Sequence, residues 1–264
     1  MPFRSQMAYF DACILAPQRP AGEPPPELTG GILCGPDATA QWRVCSAWPL
    51  ALPSPARREG NGLWLRAAER ACVIGSCETR FPVDAAEVVG LRLPDAAGLA
   101  ALLKRPVSEW WPLPVGGEKR SEKGPFLRLE LPPGQSVVAG VRRLVQRLPH
   151  ITFLLDPFCH GPVPGWQAQV RAAECDNIWL TTLGLLPGAA CKWPEPEDVE
   201  QAFYFAAGEV GAGRLLLASG RRWEDLLSAP LAAEWLAGAR CLDKDQRALI
   251  LELNARAVFL GEAV

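Results

Sequence analysis

The chain has 264 residues, of which 49% are hydrophobic and 21% charged, and its formal net charge is -2. This is the composition of an ordinary folded protein rather than a disordered one, and the small net charge gives no reason to expect nucleic acid or an acidic membrane as a partner. The chain has only two histidines, His150 and His160, which excludes any site that needs three or four imidazole ligands.

Nine cysteines occur without a Cys-x-x-Cys pair, and several lie in or beside apolar runs. A free cysteine in such a run behaves as a small hydrophobic residue. Reduced, buried thiols in the cytoplasm are therefore expected rather than disulfides or a zinc cluster. Asp11 interrupts the apolar stretch near the N-terminus, which argues against a signal peptide. No run is long and apolar enough to predict a membrane span.

Nine short apolar runs, bounded by Gly, Pro, Asn or Asp, predict β-strands. They cover residues 7–14, 31–35, 42–49, 71–77, 88–94, 126–131, 151–156, 177–183 and 214–219. Apolar residues at helical spacing predict helices over 136–148 and 195–207. Near the C-terminus, Asp243 and Gln246 form a capping-box pattern that begins a last helix. Its buried face is predicted to carry Leu249, Ile250, Leu253 and Ala257.

Strands that alternate with helices in one continuous series are typical of parallel β/α units. The length matches an α/β fold with a single domain over residues 1–264, a (β/α)8 TIM-like barrel with one surplus or peripheral strand. A doubly wound open sheet is the alternative. No Gly-x-Gly-x-x-Gly turn follows any strand, however, which favours the barrel.

Several motifs follow one another in a recognisable order. They are FDACIL (10–15), VGLR (89–92), LLDPF (154–158), GRLLLAS (213–219) and NARAVF (254–259). In this order they resemble the amidohydrolase superfamily, in the subgroup of TIM-barrel metal-dependent hydrolases that includes lactonases and aromatic-acid decarboxylases. The resemblance implies a barrel with its site at the C-terminal ends of the strands.

The metal ligands that the resemblance implies are replaced in this chain. The family's His-x-His on the first strand falls on Cys13 and Leu15, a later histidine falls on Pro157, and the last aspartate falls on Gly220. A middle-strand histidine falls near Glu130. One carboxylate and one thiol do not make a hydrolytic zinc centre, which holds three protein ligands and an open position. We therefore expect no cofactor and no stoichiometric transition metal.

Charged side chains at the strand ends remain candidates for a site, because functional loops of such barrels follow the C-terminal ends of the strands. Alternation along residues 126–131 places Arg128 and Glu130 on the face opposite a row of leucines, and hence inside the barrel. Arg92 is expected to point inwards as well. One hypothesis is that a guanidinium such as that of Arg92 pairs with Glu130 in the electrostatic role of the metal. A purely structural buried ion pair is favoured over it, and Glu130→Gln should then destabilise the fold.

The residues expected to contact a ligand are Cys13, Arg92, Arg128, Ser219 and Arg221. A guanidinium pair at 221–222 suits a carboxylate or phosphate, although solvated arginines are the commoner case. For Ser219, packing is the commoner role.

Cys159 and His160 invite interpretation as a nucleophile and its base. Adjacent residues on an extended segment point in opposite directions, so a loop histidine beside a structural thiol is favoured. Trp110, Trp111 and Trp223 could stack on a ring or close the mouth of the barrel, with packing as the default role.

The leading hypothesis is a divergent amidohydrolase-like pseudoenzyme of the cytoplasm, without a competent metal centre, which binds a small carboxylated or cyclic ligand at the C-terminal face of the barrel. The alternative is an active hydrolase or lactonase with Glu130, Asp156 or His160 as general acid or base. A further alternative is a non-catalytic scaffold or subunit. A homodimer is expected only because two-fold dimers are the commonest assemblies.

Overall fold

The computed structural model describes the second half of the chain almost continuously and shorter parts of the first half. The described residues are 9–15, 28–34, 42–43, 45–49, 71–72, 90–93, 96–104, 126–186, 193, 195–222 and 231–260.

Every apolar run that predicted a strand overlaps a strand of the structure. The strands are β1 (Tyr9–Leu15), β2 (Leu28–Cys34), β3 (Trp42–Arg43), β4 (Cys45–Pro49), β5 (Ala71–Cys72), β6 (Gly90–Leu93), β7 (Phe126–Leu129), β8 (Thr152–Leu155), β9 (Ile178–Thr181), β10 (Leu215–Leu216) and β11 (Arg221–Arg222). The predicted positions of the strands are therefore confirmed.

The predicted parallel α/β arrangement is confirmed in a five-stranded sheet of order β10-β9-β8-β7-β6, whose neighbours are all parallel. A second sheet has the order β11-β1-β2-β4, and a short pair joins β3 to β5. A backbone hydrogen bond of 2.7 Å from the amide of Ala12 to the carbonyl of Leu217 connects the two larger sheets. The first strand therefore lies beside the segment that follows β10.

One pairing departs from a regular parallel barrel, because β2 and β4 are antiparallel. Only residues 35–44 separate these strands. A parallel connection needs a crossover of a dozen or more residues, usually including a helix. The short connection therefore returns the chain in the opposite direction.

The helices form between the later strands, as predicted. They are α1 (Ala96–Lys104), α2 (Gln135–Arg147), α3 (Trp166–Ala172), α4 (Pro196–Val210), α5 (Leu231–Gly238) and α6 (Lys244–Ala248). Pro196 lies in the first turn of α4, where backbone N–H groups have no partner within the helix, so its lack of an N–H costs no hydrogen bond. Asp243 and Gln246 form the predicted capping box of α6. No helix of the described residues is long and apolar enough to cross a bilayer.

The outer face of the parallel sheet packs against the helices. The leucine row Leu127, Leu129 and Leu131 is fully buried in one apolar cluster with residues of α2 and α4, among them Leu144 and Phe203. This confirms the predicted division of β7 into a leucine face towards the helices and a face that carries Arg128.

Apolar residues fill part of the inner face of the sheet. Phe126, Leu154 and Leu216 cluster there with Ala255 and Val258 from the end of the chain. The last helical segment therefore packs against the inner face, which also carries the polar residues described below.

One part of the predicted last helix is wrong. After α6 the chain continues in π-helical turns, Leu249–Leu253 and Arg256–Leu260. Leu253, predicted to be buried, is 39% exposed, whereas Leu251 is fully buried. Because π turns bond residue i to residue i+5, the buried stripe drifts away from the 3.6-residue spacing on which the prediction rested.

We expect Asn254→Ala to lower the free energy of unfolding by about 1–3 kcal/mol, the cost of leaving buried polar groups without partners. The buried Asn254 side chain donates through Nδ2 to the carbonyls of Ala212 and Leu215, each at 2.8 Å. Chemical denaturation measures the change. The control is Gln146→Ala, which removes an exposed amide on α2 and should have little effect. Equal stability of the two variants would contradict a stabilising role for the two hydrogen bonds of Asn254.

Candidate functional site

Three polar side chains meet at the C-terminal ends of neighbouring strands. Arg128 lies on β7, Asp156 directly follows β8, and Thr181 ends β9. They share the inner face, because side chains alternate between faces along a strand and the intervening leucines pack outwards. Asp156 and Thr181 are fully buried and Arg128 is 2% exposed.

The centre of this cluster is a two-pronged ion pair. Arg128 donates from Nε to Oδ2 of Asp156 at 2.8 Å and from Nη2 to Oδ1 at 3.1 Å. Thr181 donates its hydroxyl to Oδ1 of the same carboxylate, and Arg128 Nη1 donates to the carbonyl of Ala12 on β1 at 3.1 Å. Bidentate, charge-assisted hydrogen bonds of this kind are strong and fix the geometry of both groups.

Glu130 is the more accessible carboxylate beside this pair. Its Oε1 lies 3.5 Å from Arg128 Nε, and its side chain is 16% exposed. Arg128 and Glu130 therefore come together as the strand alternation predicted. Arg92 is aligned with Arg128 in the register of β6 and β7, but its side chain lies outside the described residues, so its pairing with Glu130 stays a prediction.

Asp11 is a buried carboxylate that the sequence reasoning used only as evidence against a signal peptide. It is fully buried on β1, and its Oδ1 accepts a hydrogen bond of 3.0 Å from the backbone amide of Ser219. The sequence did contain an indication that Asp11 is buried and paired: it is an acidic residue inside an apolar strand, and a buried charge needs a partner. Ser219 is itself buried, which agrees with packing. Gly220 has a φ of +61°, a backbone conformation that favours glycine.

The loop after β8 carries Cys159 and His160, and the structure gives neither the geometry of an activated nucleophile. Burial first, and Asp156 second, raise the pKa of Cys159 to about 12 against the opposing effect of Arg128. The thiol therefore stays protonated at neutral pH, and the thiolate is the reactive form. His160 is exposed. A β-carbon at Gly184 would lie 2.7 Å from the Cα of Cys159, so the next loop can pack here only with glycine.

The other candidate residues are placed only in part. Arg221 and Arg222 form β11 and pair with Ile14 and Leu15 at the C-terminal end of β1. Their side chains, and that of Cys13 on β1, lie outside the described residues, as do Trp110, Trp111 and Trp223 entirely. The roles proposed for these six residues stay predictions.

The side chains described at the strand ends do not form the metal site that the amidohydrolase resemblance implies. Within the described ranges, no group of three His, Cys, Asp or Glu side chains comes together to hold an ion. Both oxygens of Asp156 already accept hydrogen bonds from Arg128. A second cation beside this fixed guanidinium would also be repelled by its charge.

No family model and no curated protein matches the chain. Amidohydrolase 2 from Bifidobacterium longum subsp. infantis is similar in structure, with 15% identity, a TM-score of 0.49 and coverage of 96% of this chain and 99% of that one. A Pseudomonas putida protein assigned as a 2-pyrone-4,6-dicarboxylic acid hydrolase has 20% identity, a TM-score of 0.46 and coverage of 75% and 74%. A zinc-bound amidohydrolase from Burkholderia multivorans has 17% identity, a TM-score of 0.41 and coverage of 69% and 66%.

These neighbours are amidohydrolase-superfamily members, the superfamily that the motifs of this chain resemble. With identities of 15–20% and TM-scores of 0.41–0.49, they assign no activity and no ligand to the chain.

We expect Asp156→Asn to destabilise the protein by about 3–5 kcal/mol, because it removes the carboxylate that the buried guanidinium of Arg128 binds through two hydrogen bonds. Denaturant unfolding followed by circular dichroism measures the change. Glu130→Gln should cost less, since Glu130 is partly exposed and lies 3.5 Å from Arg128 Nε.

The matched control for this experiment is Asp176→Asn, which breaks an exposed ion pair with Arg214 and should cost less than about 1 kcal/mol. The double variant Asp156→Asn with Arg128→Met should recover part of the loss. A change at Asp156 no larger than that at Asp176 would contradict the buried pair.

We expect alkylation of Cys159 by iodoacetamide at pH 8 to be slower in the folded protein than in urea by about two orders of magnitude. The reason is that a raised pKa lowers the thiolate fraction, and the rate in the folded protein should keep rising with pH until the pH reaches about 12. Peptide mass spectrometry after timed quenching measures the rate. Equal rates in the folded and unfolded chain would show that the thiol is not held in its protonated form.

Proposed function

We propose that this chain is an amidohydrolase-like (β/α)8 barrel that binds a small carboxylated or cyclic organic ligand at the C-terminal ends of its strands without a metal centre. The observation that carries the proposal is the bidentate pair between Arg128 and Asp156, which puts a fixed guanidinium where the strand ends converge. Such edges of parallel barrels hold the ligand sites of this architecture.

Closure of the barrel is supported by contacts at both ends of the chain. β11 pairs parallel to β1, the amide of Ala12 bonds to the carbonyl of Leu217, and Asp11 bonds to the amide of Ser219. Together these bonds connect the last strands to the first, as a closed barrel requires, and they support one domain over the chain.

The ligand class follows from the charges at this edge. Arg221 and Arg222 lie at the C-terminal end of β1, and guanidinium groups match the geometry of a carboxylate. Glu130 is partly exposed and can accept a hydrogen bond from a ligand hydroxyl. A small acid that also carries a hydroxyl or a ring would satisfy both groups. The buried Arg128 and Asp156 would act by holding Glu130 and the strand ends in place.

A second candidate function is metal-independent hydrolysis of a small ester or lactone. The observation that favours it is Glu130 itself, a partly exposed carboxylate beside a guanidinium, which could take a proton from water as a general base. Asp156 is less suited to this role, because Arg128 and Thr181 occupy its oxygens.

We expect small hydroxycarboxylic acids to raise the melting temperature, whereas their neutral amides do not. A thermal-shift screen with matched acid and amide pairs measures this, and calorimetry gives the affinity. Arg221→Met should weaken binding by about tenfold or more, the effect of one lost charge-assisted contact. Arg143→Met, at an exposed position on α2, is the control and should leave binding unchanged.

Metal content and turnover separate the two candidates. Elemental analysis of the purified protein should find no stoichiometric zinc, iron or manganese, and one equivalent of any of these would overturn the metal-free site. Hydrolysis of lactones that survives chelation and disappears in Glu130→Gln would establish the second function. Equal shifts of the melting temperature with the acids and with their neutral amides would contradict the first function, the binding of a small acid.

A further inference from the structure

A separate cleft lies on the outside of the helical layer, between α3 and α4. Its volume is about 810 Å³, and aromatic rings of Trp166, Trp193, Tyr204 and Phe205 line it. Cavities of this size are typical of small-molecule sites. The residues at the strand ends that carry the proposed function are not among its lining residues.

The aromatic walls of the cleft are held rigidly. The ring of Trp166 meets that of Trp193 at 5.3 Å and 86°, and that of Phe205 at 5.2 Å and 71°. Both tryptophans also contact the buried ring of Phe158, and the indole N–H of Trp193 donates to the carbonyl of Phe158 at 3.2 Å. Rings fixed in advance lose little conformational freedom when a ligand binds.

The charge of the cleft is of one sign. Asp198, Glu200 and Glu209 line it, and no lysine or arginine is found among its described lining residues. Rings set nearly at right angles together with carboxylates form the surroundings that an organic cation prefers, since the face of an aromatic ring carries negative potential.

A cation already contacts one of these rings. The guanidinium carbon of Arg171 lies 5.3 Å from the centre of the Phe205 ring, and the same guanidinium pairs with Glu209 through two hydrogen bonds of 3.1 Å. Arg171 therefore neutralises Glu209 at the edge of the cleft. Asp198 supplies the remaining negative charge on the face of α4 that carries Phe205.

From these contacts we infer that the cleft between α3 and α4 binds an organic ammonium ion with apolar substituents. The substituents would pack against Trp166 and Phe205, and the positive charge would lie near Asp198, which is seven residues before Phe205 and so shares its face of α4. The ligand of this cleft would be a cation, whereas the ligand proposed for the strand ends is an anion. The inference about the cleft does not depend on the proposed function.

Choline and its uncharged isostere 3,3-dimethylbutanol test this inference on the full chain. Choline should quench or shift the tryptophan fluorescence with saturation and show saturation-transfer contacts in NMR, and the isostere should bind at least about fivefold more weakly because it lacks the charge. Phe205→Leu keeps an apolar side chain without the aromatic face and should weaken choline binding. Asp198→Asn should do the same.

Glu197→Gln is the matched control, because Glu197 is an exposed carboxylate in the first turn of the same helix and does not line the cleft. Unchanged choline binding in this variant supports the assignment. Equal affinity for choline and its isostere, or no saturable response to choline, would overturn it. Binding of the carboxylic acids at the strand ends should be unaffected by the cleft variants, which separates failure of one site from failure of the other.

Discussion

The arrangement of the strand ends depends on the ion pair between Arg128 and Asp156. Taking both charges out of water costs several kcal/mol per ion unless hydrogen bonds satisfy the remaining donors and acceptors. Thr181 and the carbonyl of Ala12 contribute to this. The ion pair is satisfied only when β1, β7, β8 and β9 lie together in the observed register. This one polar cluster therefore links four strands.

The same interaction limits the chemistry available at this edge. A guanidinium offers a permanent charge and directed N–H groups, but it does not bind and activate water as a catalytic metal does. Both oxygens of Asp156 are occupied, whereas the Glu130 side chain is 16% exposed. This is the reason for proposing recognition of a small acid rather than metal-assisted hydrolysis.

The architecture separates two candidate sites. The last helical segment packs against the inner face of the sheet, and the strand ends hold the paired Arg128 and Asp156. The cleft between α3 and α4 has fixed aromatic walls and carboxylates among its described lining residues. An organic cation complements the charge of that cleft, whereas the acid proposed for the strand ends depends on Arg221 and Arg222 of β11.

The sequence by itself determined the strand positions, the helices around 136–148 and 195–207, the capping box at Asp243 and the common face of Arg128 and Glu130, because each of these follows from local spacing and local hydrogen bonding. Only the tertiary structure decided which groups pair. Asp156 lies 28 residues from Arg128, and Asp11 lies 208 residues from Ser219. Their contacts depend on how strands distant in the chain align, and no local pattern of residues contains that information.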